Sequence, residues 1–76
     1  MIEILKNYKN MYILEQDLGG DLFLTVTCGG VGMFDLRICL NPEERAHYIK
    51  EGASYLDSLA VRISKNHELY LNRAIT

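Results

Sequence analysis

The segment Asn41-Pro42-Glu43-Glu44 constrains the fold of this chain more than any other feature of the sequence. Asn41 is a preferred N-cap, Pro42 suits the first helical position, and both glutamates fall in the first turn, where the helix dipole favours negative charge. Glu44 stands three residues after the cap, as in a capping box. The segment therefore predicts that a helix begins at residue 42.

An apolar stripe behind this segment predicts the length and the buried face of the helix. Its members recur at spacings of three and four, as on one side of an α-helix: Ala46, Ile49, Gly52, Ala53, Leu56, Leu59, Ala60 and Ile63. The stripe predicts one helix that ends near residue 65. Gly52 within it costs about 1 kcal/mol against alanine, and the predicted reason is a close approach of the helix backbone to a sheet.

The residues before the helix predict antiparallel strands. Apolar and polar residues alternate over 22–28 and 32–40, and a shorter apolar run at 11–16 predicts another strand. The even-numbered residues of the two alternating strands are predicted to face the core: Leu22, Leu24, Val26, Cys28, Phe34, Leu36, Ile38 and Leu40. Residues 17–21, with two glycines, predict a turn.

The register of the last two strands follows from the requirement that opposed residues share a face. A three-residue loop over 29–31 meets this requirement and suits glycine. It sets Val26 opposite Phe34 and Leu24 opposite Leu36.

The fold class predicted from these elements is α+β. Residues 2–9 are interpreted as a short helix, with a poorly alternating strand as the alternative, and residues 68–75 as a tail that is either helical or extended. The result is a two-layer (α)βββα domain: a three-stranded antiparallel meander with one long helix packed across one face, plus the short C-terminal tail. With 76 residues, the chain is predicted to form a single domain over residues 1–76.

Composition argues against several classes of function. The net charge is −2 and the basic residues are spread along the chain, whereas nucleic-acid binders concentrate positive charge. No apolar run approaches the roughly 20 residues of a membrane span, and the first six residues lack the pattern of a signal peptide. Two cysteines fit a reducing compartment better than a secreted disulfide scaffold. We expect a cytoplasmic protein that binds neither nucleic acid nor membrane.

Three motifs of the kind found at chemical sites have simpler explanations here. The glycine-rich segment 29–32 leads into a strand, so it is interpreted as a hairpin turn and not as a phosphate loop. Glu43, His47 and Glu51 form a row that could hold a metal, but they lie opposite the apolar stripe, where solvated charges belong. Cys28 and Cys39 lack the local features of reactive thiols. No catalytic residue, metal or cofactor is predicted.

The outer face of the sheet is the predicted interface with another protein. One helix covers only one face, so the odd-numbered residues of the two alternating strands must face elsewhere: Phe23, Thr25, Met33, Asp35 and Arg37. The first strand adds either Tyr12 and Leu14 or Met11 and Ile13. Large apolar groups on an uncovered face mark interaction sites. The alternative is that residues 68–75 fold over this face.

A second candidate surface follows one flank of the helix. Tyr48, Tyr55 and Arg62 recur every seven residues. They either close the edge of the core or contact a partner, since tyrosine and arginine are enriched at binding hot spots.

These features favour a protein-interaction module without catalytic activity. It is predicted to be a homodimer or a binder of another protein, of the inhibitor, antitoxin or immunity type. The order αβββα resembles double-stranded-RNA-binding domains in topology, but Glu43 and Glu44 stand where those domains are basic. An enzyme with a site shared across a dimer is the other alternative. A small-molecule ligand is not expected, because a domain this small offers little concave volume.

Overall fold

The computed structural model describes residues 2–28 and 33–75, which form a four-stranded antiparallel sheet followed by helices. The strands lie in the order β1-β2-β3-β4. The elements are β1 (Ile2–Asn7), β2 (Tyr12–Gln16), β3 (Leu22–Cys28), β4 (Phe34–Cys39), α1 (Pro42–Glu51), α2 (Ala53–Lys65), α3 (His67–Tyr70) and a 3-10 turn (Leu71–Arg73). The α+β class and the antiparallel meander are confirmed. The prediction of three strands and one long helix is wrong.

The short helix favoured over residues 2–9 is wrong, and the strand alternative is correct for residues 2–7, which form β1. β1 pairs with β2 so that Ile2 lies opposite Gln16 and Leu5 lies opposite Leu14, with a bulge between Glu3 and Leu5. A bulge adds one residue to a strand and so shifts its alternation. Ile2 and Leu5 therefore share a face at a spacing of three, which imitates the spacing of a helix.

The alternation predicted for β3 and β4 is confirmed. The buried members are Leu22, Leu24, Val26, Cys28, Leu36, Ile38 and, just beyond β4, Leu40. They form one core with Tyr12 and Leu14 of β2 and with residues of α2. Phe34 is the exception, because it is 39% exposed, and its ring meets the ring of His67 edge-on at 5.3 Å.

The predicted register of β3 and β4 is wrong by two residues. Val26 lies opposite Leu36 and Leu24 lies opposite Ile38. A shift of two keeps every side chain on its own face, so the apolar pattern does not distinguish the two registers. The predicted loop over 29–31 lies outside the described residues, but the pairing of Cys28 with Phe34 is incompatible with it.

The start of the helix is confirmed, but the helix ends earlier than predicted. The backbone N–H of Glu44 donates to Asn41 Oδ1 at 2.8 Å, and the N–H of Asn41 donates to Glu44 Oε1 at 2.9 Å, which completes the capping box. α1 ends at Glu51, because Gly52 has φ 72° and ψ −149°. A second helix, α2, begins directly after it.

Only the second half of the predicted apolar stripe faces the core. Leu56, Leu59, Ala60 and Ile63 are buried. In the first half Ala46 and Ala53 are exposed, and Ile49 is 78% exposed. The break at Gly52 changes the direction of the chain, which the spacing of the sequence does not reveal. A Cβ at Gly52 would meet nothing within 4 Å, so the predicted close approach to the sheet is also wrong.

Replacing Gly52 with alanine should destabilise the fold by about 1–3 kcal/mol, because its backbone conformation is essentially restricted to glycine. The added methyl group has space, so the cost comes from the backbone alone. Urea denaturation followed by circular dichroism measures it, with Gly19→Ala as the control at a turn glycine whose φ is not positive. Unchanged stability in Gly52→Ala would mean that α1 and α2 join without this bend.

The C-terminal tail lies along the edge of β4. The N–H of Ile75 donates to the carbonyl oxygen of Arg37 at 2.8 Å, and Ala74 forms a β-bridge with Ile38. The tail is thus first helical and then extended, and both predicted alternatives occur in succession. Among the helices in the described residues, none has the length and apolar character needed to cross a membrane.

Candidate functional site

The outer face is the side of the sheet opposite the core. Residues on it are Glu3 and Lys6 of β1, Ile13 and Glu15 of β2, Phe23, Thr25 and Thr27 of β3, and Asp35, Arg37 and Cys39 of β4. Four of the five predicted interface residues are therefore brought together by the strand ladder. Met33 precedes β4 and is 56% exposed. Of the two alternatives for the second strand, Ile13 is on this face, because Tyr12 and Leu14 are buried.

Electrostatic contacts organise the centre of the outer face. The guanidinium carbon of Arg37 lies 5.0 Å from the centroid of the Phe23 ring, within the range of a cation–π interaction. A second contact joins Arg37 Nη2 to Glu15 Oε1 at 3.8 Å. Thr27 Oγ1 donates to Asp35 Oδ1 at 2.8 Å. Phe23 is thus a partly buried ring beneath a charged group, and not the bare apolar centre that alternation alone suggests.

A shallow depression lies on the outer face beside the β1–β2 turn. Its volume is about 220 Å³, and most of its lining is apolar. The lining residues are Lys6, Asn7, Tyr8, Met11, Tyr12, Ile13, Thr25, Thr27 and Asp35. Small-molecule sites usually have volumes of about 300–1,000 Å³. The depression is below that range, and it has the size to accept one side chain of another protein.

Sequence reasoning missed the contribution of the β1–β2 turn to this depression. Tyr8 is 80% exposed and Lys6 Nζ lies 5.0 Å from the centroid of its ring. Met11 has φ 56°, a conformation that is uncommon outside glycine, and its side chain is also exposed. The interpretation of residues 2–9 as a helix removed β1 from the sheet. With β1 absent from the predicted sheet, nothing in the sequence placed Tyr8 beside the predicted interface.

The helix flank of Tyr48, Tyr55 and Arg62 is divided by the bend at Gly52. Tyr48 and Tyr55 are half-buried against the core, which agrees with the interpretation that they close its edge. Arg62 is exposed. The bend brings His47 onto Tyr55, with the two rings stacked at 5.1 Å, and this pair is absent from the predicted flank.

A polar depression of about 470 Å³ lies between α1 and α2. Its volume is within the range of small-molecule sites, contrary to the expectation of little concave volume, but its lining is mostly polar, whereas such sites are mostly apolar. The depression is lined by Asn41, Glu43, Glu44, His47, Glu51, Tyr55, Ser58 and Arg62. Within it, His47 Nδ1 and Glu51 Oε2 are 3.0 Å apart. The predicted row of Glu43, His47 and Glu51 does not converge, since no group of three metal-ligating side chains is found in residues 2–28 and 33–75.

Glu44 and Arg73 join the start of α1 to the C-terminal tail. Arg73 donates from Nη2 to Glu44 Oε1 at 2.6 Å and from Nη1 to Glu44 Oε2 at 3.1 Å. A third bond runs from Nη2 to the carbonyl oxygen of Cys39 at 3.0 Å. Burial alone would raise the pKa of Glu44, but the hydrogen bonds from Arg73 and from the backbone of Asn41, together with the charge of Arg73, outweigh it, and the pKa of Glu44 is lowered.

A second polar contact fixes β1 and β2 to α2. Tyr12 Oη donates to Asp57 Oδ1 at 2.8 Å, and Asn7 Nδ2 donates to the same oxygen at 3.2 Å. Burial and the hydrogen bond to Asp57 raise the pKa of Tyr12 from 10.0 to about 12. The hydroxyl of this fully enclosed ring is therefore a structural donor.

The contact between Tyr12 and Asp57 should make stability depend on alkaline pH. Because the folded pKa of Tyr12 lies above its unfolded value, the contribution is complete below about pH 10 and is lost as the pH rises toward 12. Tyr12→Phe should cost about 1.5 kcal/mol near neutral pH, and this difference from wild type should shrink above pH 10. Denaturation at several pH values measures it, with Tyr8→Phe as the exposed control. A difference that is constant with pH would contradict the assignment.

Both cysteines are free: Cys28 is buried and Cys39 is partly buried. Burial raises the pKa of each thiol, and the charge of Asp35 adds to the effect at Cys28. A raised pKa disfavours the thiolate, which is the nucleophilic form. Their predicted role as ordinary packing thiols agrees with this environment.

Comparisons of the chain with protein-family models, with curated proteins and with solved structures gave no match. The function is therefore inferred from the geometry and charge of these surfaces. Among the surfaces described, the outer face has apolar area, a depression and charges of both signs.

Proposed function

We propose that this chain is a small cytoplasmic protein-interaction module without catalytic activity, which binds another protein through the outer face. The observation that carries the proposal is the placement of the two layers. In the described part of the chain, α2 packs on the core side of β3, and the outer-face residues of the central strands remain partly exposed. A partly apolar sheet face that the chain's own helices leave accessible is a typical binding surface.

The chemistry of the outer face suits a protein partner. Phe23 and Arg37 lie together near its centre, and aromatic residues and arginine are enriched at the energetic centres of interfaces. The depression at Ile13 and Thr25 has room for a partner's side chain. Acidic and basic groups surround these features, as in the polar rim of an interface.

The charges of the chain favour a mildly basic protein over a nucleic acid. The net charge is −2, and the outer face carries Lys6 and Arg37 together with Glu3, Glu15 and Asp35. A phosphate backbone requires concentrated positive charge. An inhibitor, an antitoxin or an immunity-type protein binds its target by complementarity of shape and charge, and the outer face has the features that such binding uses.

Phe23→Ser tests this proposal. The partner is first recovered on the immobilised chain from extracts of the cells that make it, and its Kd is then measured with purified proteins. Phe23→Ser should weaken binding at least about tenfold, as expected at a hot spot. Ile49→Ser is the matched control, because it removes an exposed apolar side chain from α1 on a different surface.

The comparison requires that the Phe23→Ser variant is folded, and circular dichroism with a thermal scan establishes this. Equal affinities of wild type and a folded Phe23→Ser variant would contradict the proposal. So would a loss of affinity that is the same for Ile49→Ser.

A further inference from the structure

The two edges of the sheet differ in what covers them. The edge of β4 is occupied by the tail, through the bond from Ile75 to Arg37 and the bond from Arg73 to Cys39. β1 forms the other edge of the described sheet and pairs on one side, with β2. We propose that two copies of this chain join through their β1 edges, antiparallel and about a two-fold axis, into one continuous eight-stranded sheet.

The bulge in β1 determines the register in which the strand can pair with a second copy of itself. Opposed residues of an antiparallel pair must share a face. Ile2 and Asn7 lie opposite Gln16 and Tyr12 and are therefore on the core side. Glu3 and Lys6 lie opposite Glu15 and Ile13 and are on the outer side.

An axis between Ile4 and Leu5 therefore sets Ile2 opposite Asn7 of the second copy and Glu3 opposite Lys6 of the second copy. In each of these pairs both members are on the same face. A regular strand would put residues 3 and 6 on opposite faces, so this register would fail and the axis would have to pass through a residue. The bulge that gives β1 the spacing of a helix in the sequence therefore also selects the position of this axis.

The charges of β1 are also complementary in this pairing. Within one copy Glu3 lies directly opposite Glu15, and like charges in that position are unfavourable. A lysine on an edge strand normally discourages pairing with another edge. In the proposed dimer each Lys6 meets a Glu3, so that two cross-strand ion pairs form. In the proposed dimer β1 is a central strand of the sheet, and it carries the exposed side chains of Ile2 and Ile4.

Edge pairing should give a weak dimer. A six-residue strand offers less than the roughly 800 Å² per partner of a stable interface, and we expect a Kd of about 10–100 μM. The proposal does not depend on the proposed function, although it would place two outer faces side by side on one surface. Phe23 is on β3, away from the β1 edge.

Charge reversal tests the pairing. Sedimentation equilibrium is measured for wild type, Glu3→Lys, Lys6→Glu and the double variant Glu3→Lys/Lys6→Glu. Each single reversal turns two attractive pairs into two repulsive ones and should raise the dimer Kd at least about tenfold. The double variant restores both pairs and should return the Kd to within about threefold of wild type.

Two controls separate this result from changes in net charge or stability. Lys9→Glu makes the same charge change as Lys6→Glu in the exposed turn beyond β1 and should leave the Kd unchanged. Glu3→Lys relieves the contact with Glu15 and should not destabilise the monomer, as a thermal scan would show. Phe23→Ser should also keep the dimer, which distinguishes this interface from the one in the proposed function.

Backbone amide chemical shifts of the wild type, measured as the protein is concentrated, provide a second observable. The shifts that change should be those of residues 2–7. A wild-type protein that remains monomeric at about 1 mM would overturn the proposal. So would single reversals without effect, a double variant that stays monomeric, or shift changes centred outside β1.

Discussion

Replacing Leu56 with alanine is expected to lower the free energy of unfolding by about 2–5 kcal/mol. Leu56 is fully buried in α2 beside Leu59 and Ile63, at the layer where the helix meets the sheet. A domain of this size has a small margin of stability, so a large fraction of the variant should be unfolded at 25 °C. Urea denaturation followed by circular dichroism measures the loss.

Ile49→Ala is the matched control for Leu56→Ala. Both residues belong to the apolar stripe of the sequence, but Ile49 is 78% exposed, and its truncation should change stability by about 0.5 kcal/mol or less. The sequence pattern treats the two positions as equivalent, whereas the structure does not. Equal losses in the two variants would mean that α1 and α2 form one straight helix docked along the whole stripe.

Replacing Arg73 with methionine is expected to destabilise the fold by about 2–3 kcal/mol, because it leaves the carboxylate of Glu44 largely enclosed without its partner. Side-chain exposure is 30% for Arg73 and 11% for Glu44, so solvent screens this pair only in part. The tail should also detach from the β4 edge. Amide hydrogen exchange at Ile75 reports that detachment, and Arg62→Met is the control at an exposed arginine.

The effect of Arg73→Met should depend on pH in a defined direction. The folded pKa of Glu44 is lowered from its usual value of 4.5. Its contribution to stability is therefore present above about pH 4.5 and is lost as the pH falls through the folded pKa. The difference between wild type and Arg73→Met should be largest near neutral pH and shrink in acid. A difference that grows in acid would contradict the role of the ionised carboxylate.

The features that the sequence predicted well are those encoded by neighbouring residues. The boundaries of β3 match the predicted strand, and the capping box at Asn41 and Glu44 forms as predicted. Alternation in β3 and β4 sets the two faces of the sheet, because the strand period is two irrespective of tertiary context. The candidate interface at Phe23, Thr25, Asp35 and Arg37 could be placed on one face for the same reason.

The predictions that failed concern local irregularities. The bulge in β1 gave a strand the spacing of a helix, and the bend at Gly52 divided a stripe that continues through it in the sequence. In both segments the hydrophobic pattern of the sequence is the same as that of a regular element, so the pattern does not reveal the bulge or the bend. Glycine inside a helical pattern has two interpretations, close packing or a special backbone conformation, and only φ separates them.

Contacts between distant residues were also beyond the sequence. Glu44 and Arg73 are 29 positions apart, and Tyr12 and Asp57 are 45 positions apart. Each residue has an adequate local explanation as a helix cap, a surface charge or a strand aromatic. Their pairing depends on how the tail and α2 are docked. The depression on the outer face was missed for the same reason, because it requires β1 to be in the sheet.

The strand order β1-β2-β3-β4 has a consequence for how this chain folds. Every strand pairs with the strand before or after it in the chain, so each pairing closes only a short loop and loses little chain entropy. Sheets with such sequential connections have low contact order for a β-containing protein and fold rapidly. The sheet can therefore assemble hairpin by hairpin. The tail contacts β4 and α1, which come earlier in the chain, and it is the segment expected to dock last.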